Sequence, residues 1–416
     1  MKKLTADVAV AGGGAAGFMA AVTAAELGAR TVIVEPGDRP LKKLRITGKG
    51  RCNVTIDCDA ETVIKNTTVN GKFLYSAMKS FPPSETMAFF EGLGVPLKTE
   101  RGNRVFPVSD RAEDVARALI RRAENLGVVL IRDRAAAVSV SENGSAEGLC
   151  CAGSFIRCGA VVIATGGLSY PATGSTGDGY GIAKRLGHSV TELRPSLVPL
   201  TSPDGDCRRM QGLSLRNVRL TVKRDGKEVF SGQGEMQFAH FGITGPLVLS
   251  ASAHMRQGGE YEAEIDLKPA LAEDVLDARI LRDFSENINR DFQNALGALL
   301  PRLMIPVVVE RSRIPPDTKV NSVTRAQREE LVRLLKRFAV RIDGTRPTEE
   351  AVITSGGISV KEISPSTMGS RLVGGLFFAG EIIDVDAYTG GFNLQIAWAT
   401  GRAAGKAAAG LSAKEI

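Results

Sequence analysis

Three glycines, Gly12, Gly14 and Gly17, stand between an apolar run at 6–11 (ADVAVA) and an Ala-rich stretch that continues to about Leu27. In that setting the spacing GxGxxG carries a specific chemistry. Gly12 permits a tight turn, Gly14 lets backbone approach a pyrophosphate, and Gly17 lets helix and strand pack closely. Ala15 and Ala16 keep the helix start small beside the same anion. A second β-rich run, RTVIVE, ends at Glu35, 18 residues beyond Gly17. An acid at that place accepts the hydroxyls of an adenosine ribose and argues against a 2′-phosphate there. With strand, turn, helix and acid in order, the motif marks a dinucleotide site rather than a merely Gly-rich turn. By itself it leaves NAD and FAD both open.

Three further segments point to FAD. The first, KKLRITGKGRCNVT at 42–55, is a basic Gly-containing loop that can wrap the ribityl and phosphate region; it offers Lys43, Thr47, Gly48, Arg51, Cys52 and Asn53. The second, ATGGLSYPATGSTGDGY at 164–180, ends a strand in Ala164, Thr165 and Gly166, where backbone can cross close to a dinucleotide. The third, FAGEIIDVDAYTGGFNLQIAWATG at 378–401, delivers Gly380 and Glu381 toward the ribityl chain. Its continuation, Gly391, Asn393, Leu394 and Gln395, opens a helix whose N-terminus suits the flavin edge on which negative charge develops. Ala137, on the strand at 135–140, completes the expected cofactor contacts.

The elements that must position these residues follow from periodicity. Runs at 6–11, 128–131, 160–164 and 376–379 read as strands of a parallel α/β sheet, with helices at 84–93, 110–126, 178–186 and 393–409. Asp110 and Glu113 have capping-box-like spacing before the second helix. From about 193 the texture changes to antiparallel strands at 216–224, 227–231 and 261–267 and helices at 272–300 and 324–340. The simplest organisation is one discontinuous domain, 1–192 plus 351–416, interrupted by an insert at 193–350.

Composition narrows the rest. Six cysteines without a CxxC pair, at 52, 58, 150, 151, 158 and 207, point to reduced thiols in a cytoplasmic protein. With three histidines, none spaced like a ligand to those thiols, a metal site is not expected. No apolar run is long enough for a membrane span. The net charge of +7 fits a solvated basic surface, and also contact with an acidic small molecule or RNA. The helix at 325–337 poses the same choice: Leu331, Leu334, Leu335 and Phe338 mark a docked face, while Arg325, Arg328, Arg333, Lys336 and Arg337 are either solvated or touch phosphates.

Taken together, GRCNVT at 50–55, GNRVFPVS at 102–109, FAHFGITGP at 238–246 and AVITSGGIS at 351–359, with the segments above, resemble the BaiN/RdsA family of FAD-dependent flavoproteins, once labelled aminoacetone-oxidase-like. The resemblance covers essentially the whole chain. It departs at Ile56-Asp57 and at Gln237–His240, where relatives carry other residues near the substrate. It implies a Rossmann-type, glutathione-reductase-like FAD domain with an inserted β-barrel (about 193–268 and 301–323) and a helical part (about 269–300 and 324–350). The implied activity is reduction of a C=C conjugated to a carbonyl, with hydride from the reduced flavin. One branch acts on 3-oxo steroid or bile-acid enones and another forms dihydrouridine in ribosomal RNA; a flavin amine oxidase is a further alternative. A small-molecule enone with NAD(P)H as transient electron donor is the leading expectation, because only 5% of residues are aromatic and few base-stacking platforms are evident.

Such a reaction needs a donor for the carbonyl and an acid for the α-carbon. Tyr388, just before the Thr389-Gly390-Gly391 turn, is one candidate; a packing aromatic is its plain alternative. His240, between two phenylalanines, either acts or is tied to a loop carbonyl. Arg104 either grips an anionic substrate or pairs with a carboxylate. Cys52 lies beside Arg51, yet lacks a partner thiol at a redox spacing and reads as a small packing residue. The oligomeric state has no signature in the sequence.

Overall fold

The computed structural model describes residues 2–412. They form two compact units, one running to Ser196 and resuming at Ala351, the other Leu197–Glu350.

The first unit is built on a five-stranded sheet in the order Leu376–Phe378, Ala160–Ile163, Val8–Ala11, Thr31–Val34, Val129–Ile131. Every pairing in it is parallel. Four of these strands are buried along their whole length and carry Val, Ile, Ala, Leu, Phe and Thr, the composition of a sheet covered on both faces. The helix Ala15–Glu26 packs against the long helix Phe392–Ser412. Two glycines one turn apart allow it: a Cβ on Gly401 would fall 2.4 Å from the Ala16 carbonyl oxygen, and one on Gly405 2.2 Å from that of Ala20. The helix Ala112–Asn125 buries Val115, Ala116, Leu119 and Ala123. It begins after Arg111 rather than at Asp110, whose carboxylate accepts instead from Arg51 and Lys98. A second sheet joins Lys2–Thr5, Ser154–Arg157, Ala146–Cys151 and Ala135–Val140, and a small one joins Thr55–Ile56, Arg104–Pro107 and Leu97–Glu100.

The second unit holds a seven-stranded antiparallel sheet, ordered Phe338–Ile342, Tyr261–Asp266, Ser214–Arg224, Lys227–Ala239, Gly242–Thr244, Leu200–Thr201, Gly344–Thr345. Its two end strands are separated in the chain by Asp343 alone, so the sheet curls until its edges meet, as in a barrel. Helices Glu273–Ser285, Ile305–Ser312 and Arg325–Lys336 bury Leu276, Ile280, Val308, Leu331 and Leu335 in one core with the sheet.

Two expectations for this unit are corrected. Residues 301–323, expected to add barrel strands, contain the helix Ile305–Ser312, which opens with Pro306 in its first turn, where proline is tolerated. The closing strands come instead from 338–345, expected to be helical. Thr324 and Gln327 form a capping box that starts the preceding helix, and it ends at Arg337. Beyond that point Phe338, Val340 and Ile342 are buried at alternate positions, a period of two that only a strand satisfies.

In the first unit His188 is buried, with Nδ1 3.1 Å from Glu362 and Nε2 2.8 Å from the Ser370 hydroxyl. Burial pulls its pKa below 6.5, against the opposing pull of Glu362. The folded value therefore lies below the unfolded one. The neutral ring's contribution to stability is full above about pH 6.5 and is lost as the pH falls through the folded value. The urea midpoint of the native chain is expected to drop between pH 7 and pH 5 by more than that of His188→Gln. Equal drops would assign the acid sensitivity to other groups.

Candidate functional site

The site is assembled from the residues that directly follow parallel strands, where ligands of open α/β sheets bind. Gly12 follows Ala11, Glu35 follows Val34, Ala164 and Thr165 follow Ile163, and Ala379 and Gly380 follow Phe378. All of them line one cleft of about 1080 Å³, measured out to its open mouth. Gly14, Ala15 and Ala16 line it too, at the positive end of the helix Ala15–Glu26, as does Gly166 after the strand Ala160–Ile163.

Each fingerprint glycine has a distinct surrounding. A Cβ on Gly17 would meet the Gly12 carbonyl oxygen at 1.9 Å, and one on Gly12 would meet that of Ala164 at 2.5 Å. A Cβ on Gly14 would meet no protein atom within 4 Å. Gly17 thus serves the packing beneath the cleft, and Gly14 keeps the cleft floor open. Glu35 accepts from the Gly13 N–H at 2.7 Å and the Gly37 N–H at 2.9 Å, one on each carboxylate oxygen. Each oxygen keeps a second lone pair for a diol. Near this end, a small recess shared by Gly12, Glu35, Thr165 and Gly174 is lined by Ala135. Ala137 lines neither space, although it is two residues along the same strand.

The 42–55 segment divides. Lys42–Gly50 is helical with a break at Thr47–Lys49, and Lys43 and Thr47 line the cleft. Arg39, Lys42 and Leu44 do so as well, although the sequence reading did not single them out. Gly48, Arg51, Cys52 and Asn53 do not line it. The Arg51 guanidinium lies 4.1 Å from the centre of the Phe106 ring and pairs with Glu100 and Asp110. Cys52 is fully buried, and burial pushes its thiol up to about 12, so it is not a nucleophile at neutral pH. The Asn53 side-chain oxygen is buried without a hydrogen-bond partner.

The 378–401 segment also divides, by helical geometry. Asn393 and Leu394 line the cleft with Glu381 and Val385. Gln395, fully buried, faces elsewhere: its oxygen accepts from Thr55 at 2.7 Å and Thr86 at 2.8 Å, and its amide donates to the Phe81 carbonyl at 2.8 Å. Gly391 is not among the lining residues either; it is required where its α-carbon passes the Thr55 carbonyl oxygen, 2.4 Å from a would-be Cβ. Tyr388 is half-buried. Its N–H donates to the Asn66 carbonyl at 3.1 Å, and Asn393 clamps the turn through the Ala387 N–H and carbonyl. Burial raises the Tyr388 hydroxyl above its ordinary value of 10, so it stays protonated at neutral pH.

Of the other two catalytic candidates, Arg104 is exposed, its Nε donating to the Arg101 carbonyl. His240 belongs to the Leu197–Glu350 unit, exposed beside Phe241. None of the three candidates, Tyr388 included, is among the residues that line the cleft. A residue the sequence reading missed is Asp386, completely buried, which accepts from Ser355 at 2.9 Å, Thr68 at 3.0 Å and Ser196 at 3.2 Å. Its position between Val385 and Ala387, two residues after Asp384, was the available signal: acids alternating with apolar residues. Among the described residues no group of three His, Cys, Asp or Glu is placed to hold a metal ion. No described helix is long and apolar enough to cross a membrane.

A family model described as "HI0933-like protein Rossmann domain" matches residues 6–407. The chain belongs to this HI0933-like family. Among its relatives, the "3-dehydro-bile acid delta(4,6)-reductase" of Clostridium scindens is 30% identical over 97% of this chain and 98% of its own. The "Ribosomal RNA dihydrouridine synthase" of Escherichia coli is 29% identical over 95% of this chain and 96% of its own. In fold, the 3-ketosteroid-Δ4-(5α)-dehydrogenase of Rhodococcus jostii, solved with 4-androstene-3,17-dione, superposes with a TM-score of 0.55 at 16% identity, covering 98% of each chain.

The HI0933-like chain is an FAD-dependent oxidoreductase, and its cleft fits the cofactor on its own terms. The floor at Gly14 is bare where a pyrophosphate needs backbone contact. The buried Thr165 hydroxyl at the cleft has no partner in the protein. Arg39, Lys42 and Lys43 line the same cleft as the helix N-terminus; each is paired with a carboxylate yet keeps further N–H donors for phosphate oxygens. Gly14→Val is expected to melt at the temperature of flavin-stripped wild type yet purify without flavin colour. Gly17→Val is expected to lose stability, by about 3 kcal/mol or more. A fully flavinylated Gly14→Val would move the pyrophosphate elsewhere.

Proposed function

We propose that this chain reduces a C=C conjugated to a carbonyl in a small molecule of the 3-oxo steroid or bile-acid type, with NAD(P)H as the electron source. The two kinds of relative are nearly equal in identity, so their names do not separate a small molecule from RNA. The observation that favours the small molecule is the state of the basic helix Arg325–Lys336. Arg325 pairs with Glu329, Arg328 with Asp277, Arg333 with Glu330 and Lys336 with Asp266, while the adjoining Arg337 pairs with Glu273. Cations already matched by carboxylates release few counterions on meeting a phosphate backbone, and counterion release drives most RNA binding. That helix therefore makes a poor RNA platform.

When bound and reduced, FAD would supply the hydride that such a substrate accepts at its β-carbon. The protein's part is to place and protonate. Gly14 and the helix N-terminus hold the anionic end of the cofactor, and Glu35 holds its ribose. Tyr388 is the proposed proton donor to the α-carbon: its turn is clamped by Asn393, which lines the cleft, and its hydroxyl carries a proton at neutral pH. NAD(P)H visits transiently in this scheme, since no second GxGxxG lies on a strand–turn–helix.

The test is anaerobic. The flavin is reduced with NADH or NADPH, then a 3-oxo-Δ4 steroid or unmodified ribosomal RNA is added and reoxidation followed. Fast reoxidation by the steroid supports the proposal; reoxidation by RNA with dihydrouridine formed, and none by the steroid, replaces it. Tyr388→Phe is expected to keep its flavin and lower the reoxidation rate by about 10²-fold. Any alkaline loss of the native rate that belongs to this donor should have its midpoint above pH 10, since burial raises the Tyr388 hydroxyl from its ordinary value. An unchanged rate in Tyr388→Phe would remove this residue from the chemistry.

A further inference from the structure

Lys43 and Glu381 are 338 residues apart in the chain, yet Lys43 Nζ lies 2.6 Å from Glu381 Oε2 in the cleft wall. Lys43 also donates to the Ser169 hydroxyl at 2.7 Å, and that hydroxyl donates to Glu381 Oε1 at 2.6 Å, closing a ring of three side chains. The Thr354 N–H donates to Glu381 Oε1 at 2.9 Å. The Thr354 hydroxyl in turn accepts the N–H groups of Leu168 and Ser169, at 2.8 and 3.1 Å. Gly167 leaves room for this: a Cβ there would fall 2.4 Å from the Thr354 hydroxyl and 2.8 Å from Glu381 Oε1.

A carboxylate has about four acceptor positions. Three of those on Glu381 are committed to donors of the protein, and one of these donors is a cation. A group present only to accept from a ligand hydroxyl would need neither the lysine nor the buried serine. The pair is also more sheltered than the other cations of the cleft wall. Side-chain exposure is 26% for Lys43 and 14% for Glu381, against 58% for Arg39 and 36% for Lys42. Sheltered charges act on a neighbour with less screening by water.

We propose that Glu381 is a positioning residue: it pins the Lys43 ammonium in the cleft wall and balances its charge, so that the two act on the bound flavin as one neutral pair. The proposal rests on the FAD reading of the cleft. A flavin gains negative charge on reduction, so an unbalanced cation beside it favours the reduced form and an unbalanced carboxylate opposes it. The pair avoids both, while the fixed ammonium remains a donor toward the cofactor.

The test uses the full chain as wild type, Glu381→Gln, Lys43→Met and the double variant, saturated with FAD. The flavin midpoint potential is read by dye equilibration and the FAD dissociation constant by fluorescence. The potential is expected to rise in Glu381→Gln and to fall in Lys43→Met. Each single change is expected to weaken FAD about tenfold, and the double no further than the weaker single, because either change breaks the same unit. Shifts of equal sign in the two singles, unchanged potentials, or additive losses of affinity would each overturn the pair. If Glu381→Gln does not fold, Lys43→Met still decides through the sign of its shift. Wild type that binds no FAD would overturn the cofactor reading itself; four proteins that bind FAD alike would overturn only this proposal.

Discussion

The carbonyl of Gly12 lies against the bare α-carbon of Gly17, in a space that would leave an added Cβ 1.9 Å from the oxygen. That contact lets the helix Ala15–Glu26 start immediately above the central strand. It sets the helix N-terminus at the edge of the sheet, where the other strands also end. Because those strands are parallel and in register, the residues that follow them arrive along one rim. A helix displaced by one side chain would no longer aim its free N–H groups into the cleft. The long C-terminal helix depends on the same helix, since Gly401 and Gly405 seat it against Ala16 and Ala20.

Around this rim the charges are managed in pairs. Arg39 and Arg45 share Glu113, Lys42 meets Asp38, and Lys43 meets Glu381. A cleft for a cofactor with two phosphates needs cations, yet uncompensated cations would repel one another before it binds. Pairing leaves the cations in place at low cost, with exposure grading how strongly each is felt. The insert follows the same habit: the cations of Arg325–Lys336 meet carboxylates of that helix and of its neighbours.

Several side chains that look alike in sequence are given different work by direction alone. Asn393 and Gln395 are two residues apart on a helix, about 200° around its axis. One faces the cleft, and the other joins Thr55, Thr86 and Phe81 in a buried network. Within GRCN the four residues leave the cleft entirely. Arg51 turns to Phe106 and two acids, while Cys52 is packed away.

What the sequence determined by itself was local. Glycine spacing, the strand and helix periods and an acid at a strand end are short-range patterns, and backbone sterics alone gives them meaning. They established the fingerprint, the parallel α/β unit and the presence of an insert. Only the tertiary structure decided which of two barrel-or-helix assignments held at 301–345, because short apolar runs satisfy both periods until packing chooses. It alone brought Lys43 to Glu381, and Asp386 to Ser196 and Ser355. Such partners lie tens to hundreds of residues apart, and no local pattern encodes a distance that chain folding sets.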